Sequence, residues 1–230
     1  LLEQAPAQGA CLIAFPELGL TAYTCDDLFH QQALLRAAER ALQTLVEATR
    51  PHALLAIVRV PLQIDGALYN CADVACRGRI LGVVPKTYIP NYREFYELRQ
   101  FTPGDACRRE RIDLCGQTDI AFGAELVFRA GDVKDLSVHV EICEDLWSPI
   151  PPSSFGALAG ATVLVNLSAS NIVIGKDSYR RLLGASQSAR SIAAYLYCAA
   201  GYGGSTTDLA WDGHGFIYEN GTLLAETDRF

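Results

Sequence analysis

Three apolar segments of this chain stop abruptly, and each is followed by one chemically reactive side chain: Glu17, Lys86 or Cys143. Short apolar runs bounded by such breaks are typical of buried strands. Pro16 and Pro85 end the first two runs, because proline cannot donate to a strand ladder. Since sites in sheet enzymes are built beyond the carboxyl ends of strands, the pattern favours a fold that brings three strand ends together.

The segment around Cys143 is the most informative of the three. Residues 136–143 alternate in polarity and predict a strand, with Val138, Val140 and Ile142 on the face opposite to Cys143. A structural cysteine would more commonly lie mid-strand among apolar neighbours, whereas this thiol lies where the strand runs into an acidic turn. Thiolate chemistry needs a nearby base or cation, so we interpret this cysteine as a nucleophile served by the other two segments.

In order and approximate spacing, Phe15-Pro-Glu17, Pro85-Lys86 and Ile142-Cys-Glu144 resemble the Glu–Lys–Cys signature of the nitrilase superfamily of carbon–nitrogen hydrolases. Longer segments are similar to the glutaminase domains of the glutamine-dependent NAD synthetase family: residues 85–97, 166–170 and 203–213. The resemblance covers nearly the whole chain. It implies a cysteine-dependent hydrolase of carbon–nitrogen bonds.

Strands and helices alternate for much of the chain with hairpins between them, which predicts an α/β fold with mixed sheets. The resemblance implies an α–β–β–α sandwich, in which two mixed sheets pack face to face with helices outside. We expect one carbon–nitrogen hydrolase domain over residues 1–230. The family pattern also implies a fragment that lacks its first strand and a C-terminal synthetase domain, and the absence of methionine agrees with this.

Local patterns place the individual elements. Helices are predicted at residues 28–50, 92–100 and 179–199, with Asp26 and Asp27 as candidate caps of the first. Strands are predicted at residues 53–60, 68–76, 79–84 and 161–167, and within 120–128. Hairpins are predicted to turn at Arg77-Gly78 and at Asn220-Gly221, the second of them over residues 216–226.

The amino-acid composition limits the kinds of partner that the chain can have. The chain carries 26 acidic residues against 19 lysines and arginines, and a net charge of −7 disfavours a nucleic-acid partner. No apolar run approaches membrane-spanning length, so we expect no membrane partner. The eight cysteines form no compact disulfide framework, which favours reduced thiols in the cytoplasm over disulfides. No zinc-type ligand spacing is present, and no metal is expected.

The resemblance assigns a role to each member of the triad. Cys143 attacks the amide carbon, Glu17 carries the proton, and Lys86 stabilises the oxyanion. Because Glu17 would act first as base and then as acid, we expect an apolar strand-end pocket to raise its pKa toward neutrality. The hydrolysis itself needs no cofactor, and ATP and Mg²⁺ are expected only in the absent synthetase domain.

The resemblance also implies five contacts to the substrate glutamine: Tyr92, Phe95, Glu144, Ser170 and Lys176. Taken singly, the two aromatic residues are more often core residues, and Ser170 is an ordinary strand-end residue. Glu144 is expected to bind the substrate ammonium or to accept structural hydrogen bonds. Lys176 is the weakest of the five, because a lysine does not provide the bidentate fork of an arginine.

The expected reaction is hydrolysis of the glutamine side-chain amide through a cysteine thioester. The released ammonia would serve ATP-dependent amidation of deamido-NAD by a synthetase domain of the same polypeptide, in a homo-oligomer. One alternative is a stand-alone amidase, nitrilase or carbamoylase that acts on another small carbon–nitrogen substrate. A second alternative is a non-catalytic assembly module with the same fold.

Overall fold

The computed structural model describes residues 1–204 and 206–230, so Ser205 of the 203–213 segment lies outside the described residues. The first sheet has four strands in the order β1-β2-β3-β4: β1 Leu12–Ala14, β2 Leu55–Ile64, β3 Ala67–Cys76 and β4 Arg79–Pro85. β1 runs parallel to β2, and the other neighbours are antiparallel. A two-stranded hairpin follows in the chain: β5 Arg111–Leu114 and β6 Gln117–Ala121.

The second sheet contains the remaining strands of the described residues: β7 Val127–Arg129, β8 Ser137–Ile142, β9 Val163–Ser168, β10 Ala194–Ala199, β11 Gly215–Glu219 and β12 Thr222–Glu226. Their spatial order is β12-β11-β10-β9-β8-β7. β8, β9 and β10 are parallel, whereas β7, β11 and β12 join antiparallel. Both sheets are therefore mixed, as predicted.

The helices lie outside the two sheets. The α-helices are α1 Gln4–Ala7, α2 Gln32–Ala48, α3 Pro152–Leu158 and α4 Lys176–Ser191. Short 3₁₀ helices cover Asp26–His30, Glu97–Arg99, Gly104–Ala106 and Cys143–Trp147. Among the described residues, no helix is both long enough and apolar enough to cross a membrane.

Burial explains the layering. Ile57 and Val74 of the first sheet share a buried apolar cluster with Val140 and Val165 of the second, so the two sheets pack face to face. The apolar stripe of α2, centred on Leu42, covers the outer face of the first sheet. α3 and α4 cover the second sheet. The α–β–β–α sandwich is confirmed.

α3 approaches β8 closely because it carries a glycine at the contact. A Cβ at Gly156 would lie 2.4 Å from a ring carbon of His139, a distance that no real side chain could occupy. Gly156 of α3 thus leaves room for the buried ring of His139 on β8.

Both predicted hairpins are confirmed, since Arg77-Gly78 joins β3 to β4 and Asn220-Gly221 joins β11 to β12. Asp26 and Asp27 do not cap α2. They lie in a separate 3₁₀ helix, and Gln31 precedes α2 without a capping side-chain bond.

Two predicted helices are wrong in extent. α4 begins at Lys176 and ends at Ser191, and the last six residues of the predicted 179–199 helix form β10 instead. Ile192 has a left-handed φ of 51°, which breaks the helix, and the following apolar residues pair with β9 and β11. In the predicted 92–100 helix, a helical turn forms solely at Glu97–Arg99. The predicted 120–128 strand is divided between the ends of β6 and β7.

Candidate active site

The nucleophile candidate lies on a sharp turn at the end of β8. Cys143 has a φ of 49°, a left-handed conformation that is uncommon for a residue with a side chain. This conformation ends the alternation of the strand. Cys143 therefore joins the buried cluster of Val138, Val140 and Ile142, and the prediction that it faces away from them is wrong.

Asp145 links this turn to the segment that carries the lysine. One of its carboxylate oxygens accepts the backbone N–H of Ile142 at 2.8 Å. The other oxygen accepts the N–H groups of Tyr88 at 2.8 Å and Thr87 at 3.2 Å. Burial raises the pKa of Asp145 to about 8, although these backbone bonds oppose the rise. The residues just beyond Lys86 are thereby held against the cysteine turn.

Glu17 is buried and bonded on both carboxylate oxygens. Its Oε1 accepts Lys86 Nζ at 2.9 Å and Asn70 Nδ2 at 2.8 Å, and its Oε2 accepts the backbone N–H of Ala169 at 2.8 Å. The Cys143 thiol lies close enough to this carboxylate for the two groups to influence each other's pKa. Glu17, Lys86 and Cys143, distant in sequence, are thus brought together at the strand ends.

A second buried carboxylate, which was not predicted, holds the same lysine. Lys86 Nζ lies 2.7 and 2.9 Å from the two oxygens of Glu97, and Tyr23 donates to Glu97 at 2.6 Å. Glu97 closes the 85–97 segment, but its surroundings in sequence resemble those of a surface glutamate. The pairing of a carboxylate with an already paired lysine is a tertiary feature without a local signal.

The pKa of Glu17 contradicts the prediction. Burial raises it, but Lys86 and Arg59 outweigh burial and lower the pKa to about 2. For Lys86, burial lowers the pKa, and Glu17 and Glu97 together raise it well above its usual range. The site therefore contains a carboxylate and an ammonium that are both charged.

The thiol, in contrast, keeps its proton in the resting state. Burial first, and the charge of Glu17 second, raise the pKa of Cys143 to about 12. Lys86 opposes this rise without cancelling it. Proton transfer to Glu17 must therefore accompany bond formation between sulfur and substrate, because a free thiolate is disfavoured here.

A pocket of about 310 Å³ opens in front of the cysteine, a size that suits a small substrate. Cys143 lines it together with all five predicted substrate contacts, which are Tyr92, Phe95, Glu144, Ser170 and Lys176. Glu17 and Lys86 do not line the pocket and lie buried behind the thiol. The cysteine is thus the boundary between the buried charges and the pocket.

The pocket presents charges of both signs. The Tyr92 hydroxyl donates to Glu144 at 2.9 Å, and burial raises the pKa of Glu144. Lys176 Nζ lies 5.2 Å from the ring centroid of Phe95 and 5.3 Å from that of Trp147. Such contacts stabilise a cation over aromatic faces. A zwitterionic ligand would find a carboxylate and an ammonium near the thiol.

No group of three or more His, Cys, Asp or Glu side chains within residues 1–204 and 206–230 is arranged to hold a metal ion. All eight cysteines are free thiols.

Comparison with known sequences agrees with this geometry. The carbon–nitrogen hydrolase family model matches residues 1–230. A glutamine-dependent NAD(+) synthetase of Mycobacterium tuberculosis is 54% identical over 222 residues, which are 96% of this chain and 32% of that protein. One from Mycobacterium leprae is 48% identical over 230 residues, which are 100% of this chain and 34% of that protein. The chain spans about a third of the length of these relatives.

Solved structures give the same result. A glutamine-dependent NAD(+) synthetase from Cytophaga hutchinsonii superimposes with a TM-score of 0.85 at 27% identity, over 99% of this chain and 36% of that one. A nitrilase-superfamily amidase from Nesterenkonia superimposes with a TM-score of 0.76 at 18% identity, over 99% of this chain and 77% of that one. The second likeness extends to the fold alone.

Proposed function

Because this chain belongs to the carbon–nitrogen hydrolase family, we propose that it hydrolyses the side-chain amide of glutamine through a thioester on Cys143. One observation carries the proposal. Cys143 separates a buried Glu17–Lys86 pair from a small pocket whose walls offer both a carboxylate and an ammonium. That pocket matches an amino acid substrate better than a neutral amide or nitrile.

In the first half of the reaction, the sulfur attacks the amide carbon while the thiol proton passes to Glu17. The C–S bond forms and the carbonyl π electrons move onto oxygen, where Lys86 and the backbone N–H after Cys143 stabilise the negative charge. The C–N bond then breaks, and Glu17 delivers its proton to the departing nitrogen. A carboxyl of low pKa is an effective donor to an amine.

In the second half, water attacks the thioester and Glu17 removes a proton from that water. The C–S bond breaks, the proton returns to the sulfur, and glutamate leaves. The sum is glutamine plus water giving glutamate plus ammonia. No cofactor takes part in this scheme.

We further propose that the ammonia serves ATP- and Mg²⁺-dependent amidation of deamido-NAD by a synthetase domain of a longer polypeptide. Support comes from mycobacterial relatives named glutamine-dependent NAD(+) synthetases, of which this chain spans a third. Exposed apolar side chains such as Phe155, Leu158 and Leu182 support a homo-oligomer. Eight free thiols support a reducing cytoplasmic compartment.

A substrate panel tests the proposal against a stand-alone amidase, nitrilase or carbamoylase. Ammonia release is measured with glutamine, asparagine, an aliphatic amide, a nitrile and a carbamoyl amino acid. We expect kcat/KM for glutamine to exceed every other value by about 100-fold or more. A preference for any other member of the panel would refute the glutamine assignment. A chain that hydrolyses none of them and leaves Cys143 unlabelled by a glutamine-like chloroketone would be the non-catalytic module.

A further inference from the structure

A second cation lies behind the carboxylate of Glu17. The Arg59 side chain is buried in the middle of β2, and its Nη2 lies 3.4 Å from Glu17 Oε1. Its Nη1 donates to the carbonyl of Leu167 in the facing sheet at 3.1 Å. Nη2 also donates to Asn70 Oδ1, and Asn70 in turn donates to Glu17 at 2.8 Å. The reaction scheme above uses neither Arg59 nor Asn70.

Charge balance gives this arrangement a purpose. Glu17 and Glu97 are two buried carboxylates, and Lys86 contacts both of them. One ammonium cannot neutralise two carboxylates, so without Arg59 the group would carry a net negative charge away from water. A buried uncompensated charge is strongly disfavoured, and the usual response is uptake of a proton. Arg59 supplies the missing positive charge.

We propose that Arg59 and Asn70 are positioning residues for Glu17, which keep its carboxylate ionised and directed at the Cys143 thiol. The proposal rests on the glutaminase function proposed above. Arg59 reaches Glu17 from β2, and Asn70 reaches it from the neighbouring β3. Neither residue touches the pocket, so they act on the reaction through Glu17.

The electrostatics around Glu17 support this role. Burial raises the pKa of Glu17, and the charges of Lys86 and then Arg59 lower it. The titratable groups that act on Glu17 or Arg59 come from several elements: Lys86, Cys143, Glu97, Tyr23, Glu144, Cys71 and Asp73. Of these side chains Lys86 is the sole other cation. Loss of Arg59 would therefore leave the acidic groups in excess.

Two substitutions give the buried group around Glu17 the same excess of negative charge, each in a different way. Arg59→Met removes a positive charge from the core. Asn70→Asp adds a negative charge with almost no change in volume, and it replaces the amide donor to Glu17 by an acceptor. Arg59→Lys retains the charge, and Arg111→Met is a control that removes an arginine from an exposed ion pair with Asp119.

The measured quantity is the rate at which iodoacetamide alkylates Cys143 between pH 5 and 9, followed by peptide mass spectrometry. This rate needs an ionised Glu17 as base but does not need glutamine. The wild-type acidic limb should lie below this range, because the pKa of Glu17 is about 2. In Arg59→Met and Asn70→Asp we expect this limb to move up by about three pH units, so that it enters the measured range. Arg59→Lys and Arg111→Met are expected to keep the wild-type limb. The acidic limb of kcat/KM for glutamine should move in parallel.

An unchanged acidic limb in folded Asn70→Asp would overturn the proposal, even if Arg59→Met fails to fold. Equal shifts in Arg111→Met would overturn it as well, because the effect would then be unspecific. The glutaminase assay separates the two claims. A wild-type chain that alkylates normally but does not hydrolyse glutamine would refute the proposed function, and the alkylation profiles would still decide the role of Arg59.

Discussion

Two clusters of buried ion pairs within residues 1–204 and 206–230 differ in how their charges are shared. In the cluster beside α4, Arg180 donates to both oxygens of Asp212 at 2.9 and 2.8 Å. It also donates to the carbonyls of Ser170 at 3.2 Å and Asn171 at 2.8 Å. The Asp212 carboxylate also lies 3.8 Å from the partly exposed Arg229, so one carboxylate is matched by two cations. The cluster fixes the backbone next to the pocket.

In the active-site cluster of Glu17, Lys86, Glu97 and Arg59, two carboxylates share one ammonium, and Glu17 also interacts electrostatically with the Cys143 thiol. Burial of charge is common to both clusters, so burial alone does not mark a reactive site. The difference is a nucleophile placed between shared charges and a pocket. Substitutions in the two clusters should therefore affect different quantities.

The largest expected effect is on turnover. Cys143→Ala removes the atom that forms the thioester, and we expect glutamine hydrolysis to fall by about 10⁴-fold or more. The matched control is Cys71→Ala, a buried cysteine of β3 within an apolar cluster. That variant should keep kcat per folded molecule and lose about 1 kcal/mol of unfolding free energy. Normal turnover by Cys143→Ala would remove this residue from the mechanism.

We expect Glu17→Gln to cause the second-largest loss of turnover. It keeps the shape of the side chain but removes the proton carrier, and we expect kcat to fall by about 10²–10⁴-fold with KM changed little. Steady-state kinetics with glutamine separates the two constants. A variant with wild-type kcat would show that another group moves the proton.

In the α4 cluster, a substitution should reduce the stability of the fold and leave turnover nearly unchanged. Asp212→Asn leaves Arg180 buried without its counter-charge, and we expect the free energy of unfolding in urea to fall by about 3 kcal/mol. At temperatures where the variant stays folded, kcat should remain within about threefold of wild type. If kcat fell a hundredfold with stability intact, the distinction between the two clusters would be wrong.

The smallest effect concerns His139, a buried histidine outside both clusters. Burial lowers its pKa below the ordinary value of 6.5, so the unfolded chain binds a proton more readily than the folded one. The stability it contributes is present above about pH 6.5 and is lost as pH falls below that value. Unfolding free energies at pH 7.5 and 5.5 should differ less in His139→Asn than in wild type, while exposed His30→Asn keeps the wild-type difference.

Sequence reasoning worked best where local chemistry is decisive. Proline and glycine stop strands and make turns whatever surrounds them, so both hairpins and the exits of Glu17 and Lys86 from the sheet follow from local sequence. Sequence reasoning failed where the apolar pattern of one segment is compatible with both a helix and a strand. Residues 194–199 continue the apolar pattern of α4, and the pairing of β10 with β9 and β11 makes them a strand.

The site divides in the same way. Glu17, Lys86 and Cys143 could be named from their strand-end contexts, and the five pocket residues from the resemblance to a family. Glu97 and Arg59 could not, because neither the short helical turn at Glu97 nor the strand around Arg59 has a local feature that marks a buried partner. The predicted direction of the pKa shift of Glu17 was wrong for the same reason. The direction of a carboxylate's pKa shift depends on how many cations lie near it, and the sequence analysis did not expect Arg59 beside Glu17.

The sequence by itself determined which side chains leave the strands and what reactive atom each carries, because backbone stereochemistry acts over a few residues. The tertiary structure alone decided the protonation of those atoms. Charge interactions depend on distances in space between groups that are remote along the chain, and here two sheets and several loops set those distances. The same thiol and carboxylate would titrate differently if a neighbouring strand carried no arginine.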